Sequence, residues 1–321
     1  MGILRKIWIL VIISLLPLIP LSAQSSSSKY SFSLTPFLGF FHGQAEEIVY
    51  ELPGEPQYLS LLLWDLKPLL YVGFSVDFGP RNPFKNGGFL ASSSIKLGLP
   101  NYTGLSENFD WLSDGDDYSH YSRHEAYTQR SFLADILFGY SWRLMDSLAL
   151  RTYGEFAFMH FSWQARDGIG EYPFGGMMFI GTVVEYLQNW FIFSPGISIE
   201  YRFFDFISLE GNFSYSPLVF CIARDHHTFR DTVFYDYPRW GHSFKWGGSL
   251  IVSPTPNVSY TLSFTQRLIT GSRGDSYIGD FRYRDVGGAG ISGINLSMGA
   301  RFYFGKGLLK QIESRQKEVQ N

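Results

Sequence analysis

Residues 222–231 read IARDHHTFRD, which sets an acid and two adjacent histidines between arginines. Asp225 and His227 are two apart, so in an extended chain they share a face. An acid so placed orients an imidazole and stabilises its charged form. His227 can then take a proton from water and return it to a leaving amine. His226 points to the opposite side. Asp225, His226 and His227 are also a candidate zinc set. Adjacent ligands on opposite faces make poor tetrahedral geometry, however, and no further partner follows at ligand spacing. Read alone, the stretch is foremost a solvated loop, so its meaning depends on the elements that hold it.

Those elements are strands. In residues 206–216, FISLEGNFSYS, the residues Ile207, Leu209, Phe213 and Tyr215 alternate with Ser208, Glu210, Asn212, Ser214 and Ser216. Period-two alternation gives a strand with one apolar and one polar face. VSYTLSFTQ (258–266) and INLSMGARFYF (294–304) repeat the pattern. Roughly ten such runs lie near 30–43, 59–79, 88–98, 125–143, 147–165, 184–203, 206–221, 240–253, 257–270 and 288–304, an even number that suits an outer-membrane barrel. Compact turn signals (FGPRNPFKNGG, RLMDSLA, RFFDFIS, SPTPNVS) follow every second run. The alternate connections, 44–57, 99–124, 166–182, 222–240 and 271–288, read as long polar loops. Short turns on one side and long loops on the other predict an all-β, ten-stranded antiparallel transmembrane β-barrel. A β-sandwich would also alternate, but it would hide its apolar face in a core.

Composition points the same way. Aromatics are 18 % of the 321 residues and charged residues 17 %, against a usual charged share of about 25 %. The formal net charge of −3 argues against a nucleic-acid binder. Residues 1–23 have a basic start (Arg5, Lys6), an apolar run over 7–21 and a Ser22-Ala23 end, the form of a secretory signal peptide. That leaves a barrel over 24–304 and a polar tail, 305–321, to which no function is given. The lone Cys221 allows no disulfide within one chain. No second apolar run of about 20 residues is present to form a spanning helix.

Four further stretches bear on the function: GFFHGQAEEIVYEL (39–52), SENFDWLSD (106–114), YSRHEAYTQ (121–129) and the last strand, 287–304. With residues 225–227 they resemble, in order and over about 30–304, the omptins, the outer-membrane endopeptidases of Gram-negative bacteria. Gly39, Gly43, Glu47, Val49 and Tyr50 follow the family's first-strand pattern. Asn108-Phe109-Asp110-Trp111 stands at its Asp-x-Asp-Trp motif, Ser122-Arg123-His124 at its Ser-Arg-His, Ala165-Arg166 at its Ala-Arg, and Asp225-His226-His227 at its Asp-x-His.

The resemblance implies an endopeptidase in the outer membrane of a diderm bacterium, with its site in a cleft facing the exterior. His227 would be the general base and Asp225 its orienting acid. Asp110 would be the surviving acid of the opposite wall, with Asn108 a water-holding position, and Glu47 would receive a basic residue before the scissile bond. It implies a monomer with a protein or peptide substrate, contact with outer-membrane lipid, and neither metal nor cofactor.

The sequence departs from the family in informative places. Asn108 replaces an acid, and an amide can hold water but not accept its proton. Glu107 lies on the other face of the strand. His120 and Ala223 stand where omptins carry further pocket acids, with Asp116 and Asp117 nearby as possible substitutes. Phe156, Phe158 and His160 replace the charged outer-wall residues that grip lipopolysaccharide. A non-catalytic adhesin or binding scaffold on the same barrel is the alternative that the loss at 108 supports.

Overall fold

The structure, a computed structural model, describes residues 29–53, 57–112, 117–173 and 175–304. The signal-like segment 1–23, the tail 305–321 and Asp116 lie outside the described residues. Eleven strands follow in order: β1 (Tyr30–Tyr50), β2 (Tyr58–Pro80), β3 (Gly88–Gly98), β4 (Asn101–Asp110), β5 (His120–Met145), β6 (Leu148–Tyr172), β7 (Met177–Phe204), β8 (Ile207–His227), β9 (Thr232–Thr255), β10 (Val258–Ile278) and β11 (Phe281–Phe304).

The pairing is antiparallel throughout, and the first strand meets the last, from Phe32↔Phe304 to Val49↔Gly287. That seam closes the sheet into a cylinder. Strands β3 and β4 are two halves of one stave. Both pair with β2 and with β5, and the ladder breaks between them at Leu99-Pro100, where proline has no N–H to donate. Ten staves are therefore built from eleven strands.

The long polar loops of the sequence reading are mostly not loops. Strand β4 lies inside the stretch 99–124, and β1, β6, β7, β8, β9, β10 and β11 each run several residues beyond their expected ends. The upper parts of these strands mix polar and apolar residues, from residues 44–50 of β1 to residues 177–183 of β7. Most lack a clean apolar-polar alternation but keep their backbone ladders. Connections at this end are short: 228–231 joins β8 to β9, and 279–280 joins β10 to β11.

The lower barrel is inside-out relative to a soluble protein. Phe32, Leu34, Phe74, Phe138, Ile197, Leu209, Phe213 and Leu262 are exposed on the outer wall, while Ser198, Ser208, Ser214 and Ser259 are buried inside. This is the lipid-facing belt a barrel requires. The lower lumen holds a cavity of about 830 Å³, crossed by ion pairs such as Arg151–Glu210 at 2.8 Å, Arg267–Glu155 at 3.2 Å and Lys245–Glu155.

Above the cavity the lumen is packed shut. Trp64 of β2 stacks on Tyr186 of β7, with ring centroids 5.3 Å apart and planes 15° from parallel. Trp163 and Phe161 of β6 continue the layer, and Phe41 of β1 leans on Phe161. Small residues, Ala45, Ala165 and Ala223, make room beside these rings. The layer ties the β1–β2 wall to the β6–β8 wall across the interior. Trp163 is fully buried, and truncating such a ring costs about 3–5 kcal/mol. Trp163→Ala is expected to lower stability by that amount in denaturant titrations of the refolded barrel followed by fluorescence.

Candidate active site

Strand β8 ends in Asp225 and His227, both on the lumen side. Asp225 is 2 % exposed, and its Oδ2 lies 2.6 Å from Nε2 of His227. The carboxylate therefore accepts from Nε2–H and leaves Nδ1 as the basic nitrogen. In this structure Nδ1 accepts a hydrogen bond of 2.7 Å from the Arg230 guanidinium. The four-residue turn after β8 makes this contact possible. Asp231 adopts the left-handed conformation (φ 48°), which aspartate tolerates better than most residues, and the chain folds back on itself. His226 points the other way, toward Glu185 at 3.5 Å and Asp231 at 3.2 Å. The zinc alternative thus lacks convergent ligands, and no cluster of His, Cys, Asp and Glu suited to a metal occurs among the described residues.

Two more carboxyls meet Asp225. Glu47 of β1 is 3 % exposed and within hydrogen-bond reach of it. Asp236 of β9 is also buried and takes a hydrogen bond from the Ser276 hydroxyl. Asp236 sits opposite Ala223 in the ladder, so an acid on the neighbouring strand stands level with the position where β8 has none. Gly287 permits this crowding, because a Cβ there would lie 2.7 Å from Asp236 Oδ1. Burial, and next the negative charges of Asp225 and Asp236, push the Glu47 carboxyl well above the ordinary range. Burial, reinforced by Asp225, raises Asp236 to about 6.

The other half of the expected site is on strand β4. Asn108 Nδ2 donates to Asp110 Oδ2 at 3.0 Å, and Asn108 Oδ1 accepts from Ser60 Oγ at 3.3 Å. The amide at 108 thereby removes the like-charge repulsion two aspartates would suffer at this spacing. Glu107, on the opposite face, accepts from the Tyr121 hydroxyl at 2.8 Å.

No hydrogen bond or ion pair among the described residues joins the 108–110 pair to the 225–227 pair. Their relation comes from the aromatic layer. Trp64 pairs with Ser106, and Tyr186 pairs with Asp225. The Trp64–Tyr186 stack therefore lies at the foot of both motifs. Asn108 and His227 each stand two residues above that floor, on facing walls, and Asp110 is two residues higher.

His124 is a structural residue. Its Nδ1 lies 2.6 Å from the Asp167 carbonyl and its Nε2 is 3.1 Å from Ser122 Oγ, and burial lowers its pKa. Phe156, Phe158 and His160 pair with β7 side chains Phe193, Phe191 and Asn189.

Asp236, Arg230, Trp64 and Tyr186 are the site residues that sequence reading missed. Asp236 carried a signal, as a single acid amid aromatics in VFYDYPRW, but that stretch looked like a loop. The raised Asp236 makes stability depend on pH. The native state holds this proton more tightly than the unfolded chain, so the contribution is full below about pH 4 and is lost as pH rises through about 6, a total of about 3 kcal/mol. Denaturant titrations between about pH 4 and about pH 7 are expected to show wild type losing stability relative to Asp236→Asn as pH rises.

Comparison with known proteins adds the family. A family model described as the Omptin family matches residues 28–304. The crystal structure of the outer membrane protease OmpT from Escherichia coli superposes with a TM-score of 0.77 at 15 % identity, covering 88 % of this chain and 99 % of that one. The translocator domain of the autotransporter NalP from Neisseria meningitidis gives a TM-score of 0.38 at 10 % identity, covering 88 % and 91 %, too low to bear on the fold. No curated protein matches the sequence.

Proposed function

Because the chain belongs to the Omptin family, a family of outer-membrane proteases, we propose that it is an endopeptidase whose nucleophile is a water activated by Asp225 and His227. The observation that carries this reading is the 2.6 Å contact between Asp225 Oδ2 and His227 Nε2, on a wall facing Asn108 and Asp110. With Nε2–H engaged, Nδ1 takes a proton from water as the oxygen attacks the peptide carbonyl. Asp225 stabilises the resulting imidazolium. The C–N bond then breaks as the imidazolium returns its proton to the leaving nitrogen. Asp110 orients the water by accepting its second proton in a hydrogen bond, and Asn108 fixes Asp110.

Asp225 and Asp236 make the cleft floor acidic, so a basic side chain before the scissile bond is favoured there. The cleft opens to the exterior, and the barrel works as a monomer in contact with outer-membrane lipid. The Asn108 amide supports a second reading, a binding scaffold without turnover.

Fluorogenic peptides presented to refolded barrel in lipid-containing detergent separate the two readings. Wild type is expected to cleave, and His227→Ala to lose on the order of 10²–10⁴-fold in kcat. Asn108→Asp is expected to gain about tenfold by supplying a second acceptor. Silence of wild type across peptide libraries would favour the scaffold. The guanidinium on Nδ1 must leave before the base can act, so Arg230→Ala is expected to raise kcat/KM about tenfold, measured in the same assay.

A further inference from the structure

Glu47 lies buried beside Asp225 at the cleft floor, and its surroundings suit a specific task. Asp225 commits Oδ2 to His227. Its other oxygen, Oδ1, is buried and has no hydrogen-bond donor, and Glu47 Oε2 is buried and equally without one. The two carboxyls lie within reach of each other. Two ionised carboxylates in a dry interior would repel and leave both oxygens bare. A single proton between them satisfies both.

The groups facing Glu47 are Asp225 from β8, Asp236 from β9, the Trp64 indole from β2 and Tyr186 from β7. No Lys or Arg ion pair reaches Glu47, Asp225 or Asp236 among the described residues. Asp225 has the imidazole to support its charge, whereas Glu47 has no cation. The proton therefore belongs on Glu47, in keeping with the upward push that burial gives its carboxyl.

We propose that Glu47 is a positioning residue, a neutral carboxylic acid that donates its proton to Asp225 Oδ1 and so holds Oδ2 on the His227 ring. The proposal rests on the reading of Asp225 and His227 as the proton-handling pair. It also separates two roles. A neutral Glu47 adds no charge to attract Arg or Lys, so the pull on a basic substrate residue comes from Asp225 and Asp236.

Infrared spectroscopy of the refolded full chain tests the proton directly. Above about pH 7, where Asp236 is ionised, wild type is expected to show the C=O stretch of a protonated buried carboxylic acid. That band should vanish in Glu47→Gln and persist in Asp236→Asn. A wild type without the band, or a band unchanged in Glu47→Gln, would overturn the proposal. Kinetics gives the second readout. Glu47→Ala is expected to lower kcat about 10- to 100-fold with KM unchanged for peptides with arginine or neutral residues before the cleaved bond. Glu47→Gln, whose amide can still donate, should recover part of that loss. A rise in KM confined to arginine peptides would instead make Glu47 a pocket acid and overturn the proposal. Absence of turnover in wild type with the band intact would defeat the proteolytic reading and leave the proton assignment standing.

Discussion

A backbone amide in hydrocarbon must find its partner within the protein, because no water is there to take its place. Everything else in this molecule depends on that constraint. It forces the sheet to close, so β1 must meet β11 along their full shared length. Closure brings residues from opposite ends of the chain to one place. Glu47 and Asp225 are remote in sequence, yet they share a buried contact. The same requirement turns the lower barrel inside-out, with Phe and Leu toward lipid and Ser and ion pairs toward the lumen.

The interior divides into zones. In the lower zone Arg151, Lys245 and Arg267 are matched by Glu200, Glu210, Glu155 and Asp135, so the charge is compensated within the wall. In the upper zone the carboxyls of Glu47, Asp225 and Asp236 gather without a Lys or Arg ion pair among the described residues, and His227 partners Asp225. Between them lies the aromatic layer of Trp64, Trp163, Tyr186 and Phe161. That layer excludes water from below the upper carboxyls and fixes how high each wall's motif stands. Burial is why the carboxyls of Glu47 and Asp236 are both raised above the ordinary range.

What the sequence revealed followed from period and spacing. Leu209 and Phe213 alternate with Ser208 and Ser214 because one side faces lipid and the other the lumen, and the barrel could be read from that contrast. Asp225 and His227 could be paired because a strand puts residues two apart on one face. The upper staves were harder to see. Around Asp236, and from Arg273 to Asp285, both faces are polar or aromatic, so the ladder leaves no alternation to read. The burial of Glu47 depends on the register of β1 against β2 and β11, and the contact of Arg230 with His227 depends on one left-handed residue, Asp231. Neither is written in local pattern. The family's motifs marked which residues to watch, but not that Asn108 would hold Asp110 or that Asp236 would stand level with Ala223.

The seam between the terminal strands has a consequence for the timing of activity. Strand β1 is the first synthesised and β11 the last, and Glu47 reaches Asp225 only when the two have zipped together. On the reading of Glu47 given above, a chain whose seam is still open holds its imidazole on an unsupported carboxylate and works about 10- to 100-fold more slowly. Full rate is then a product of topology, reached only when the last stave has found the first.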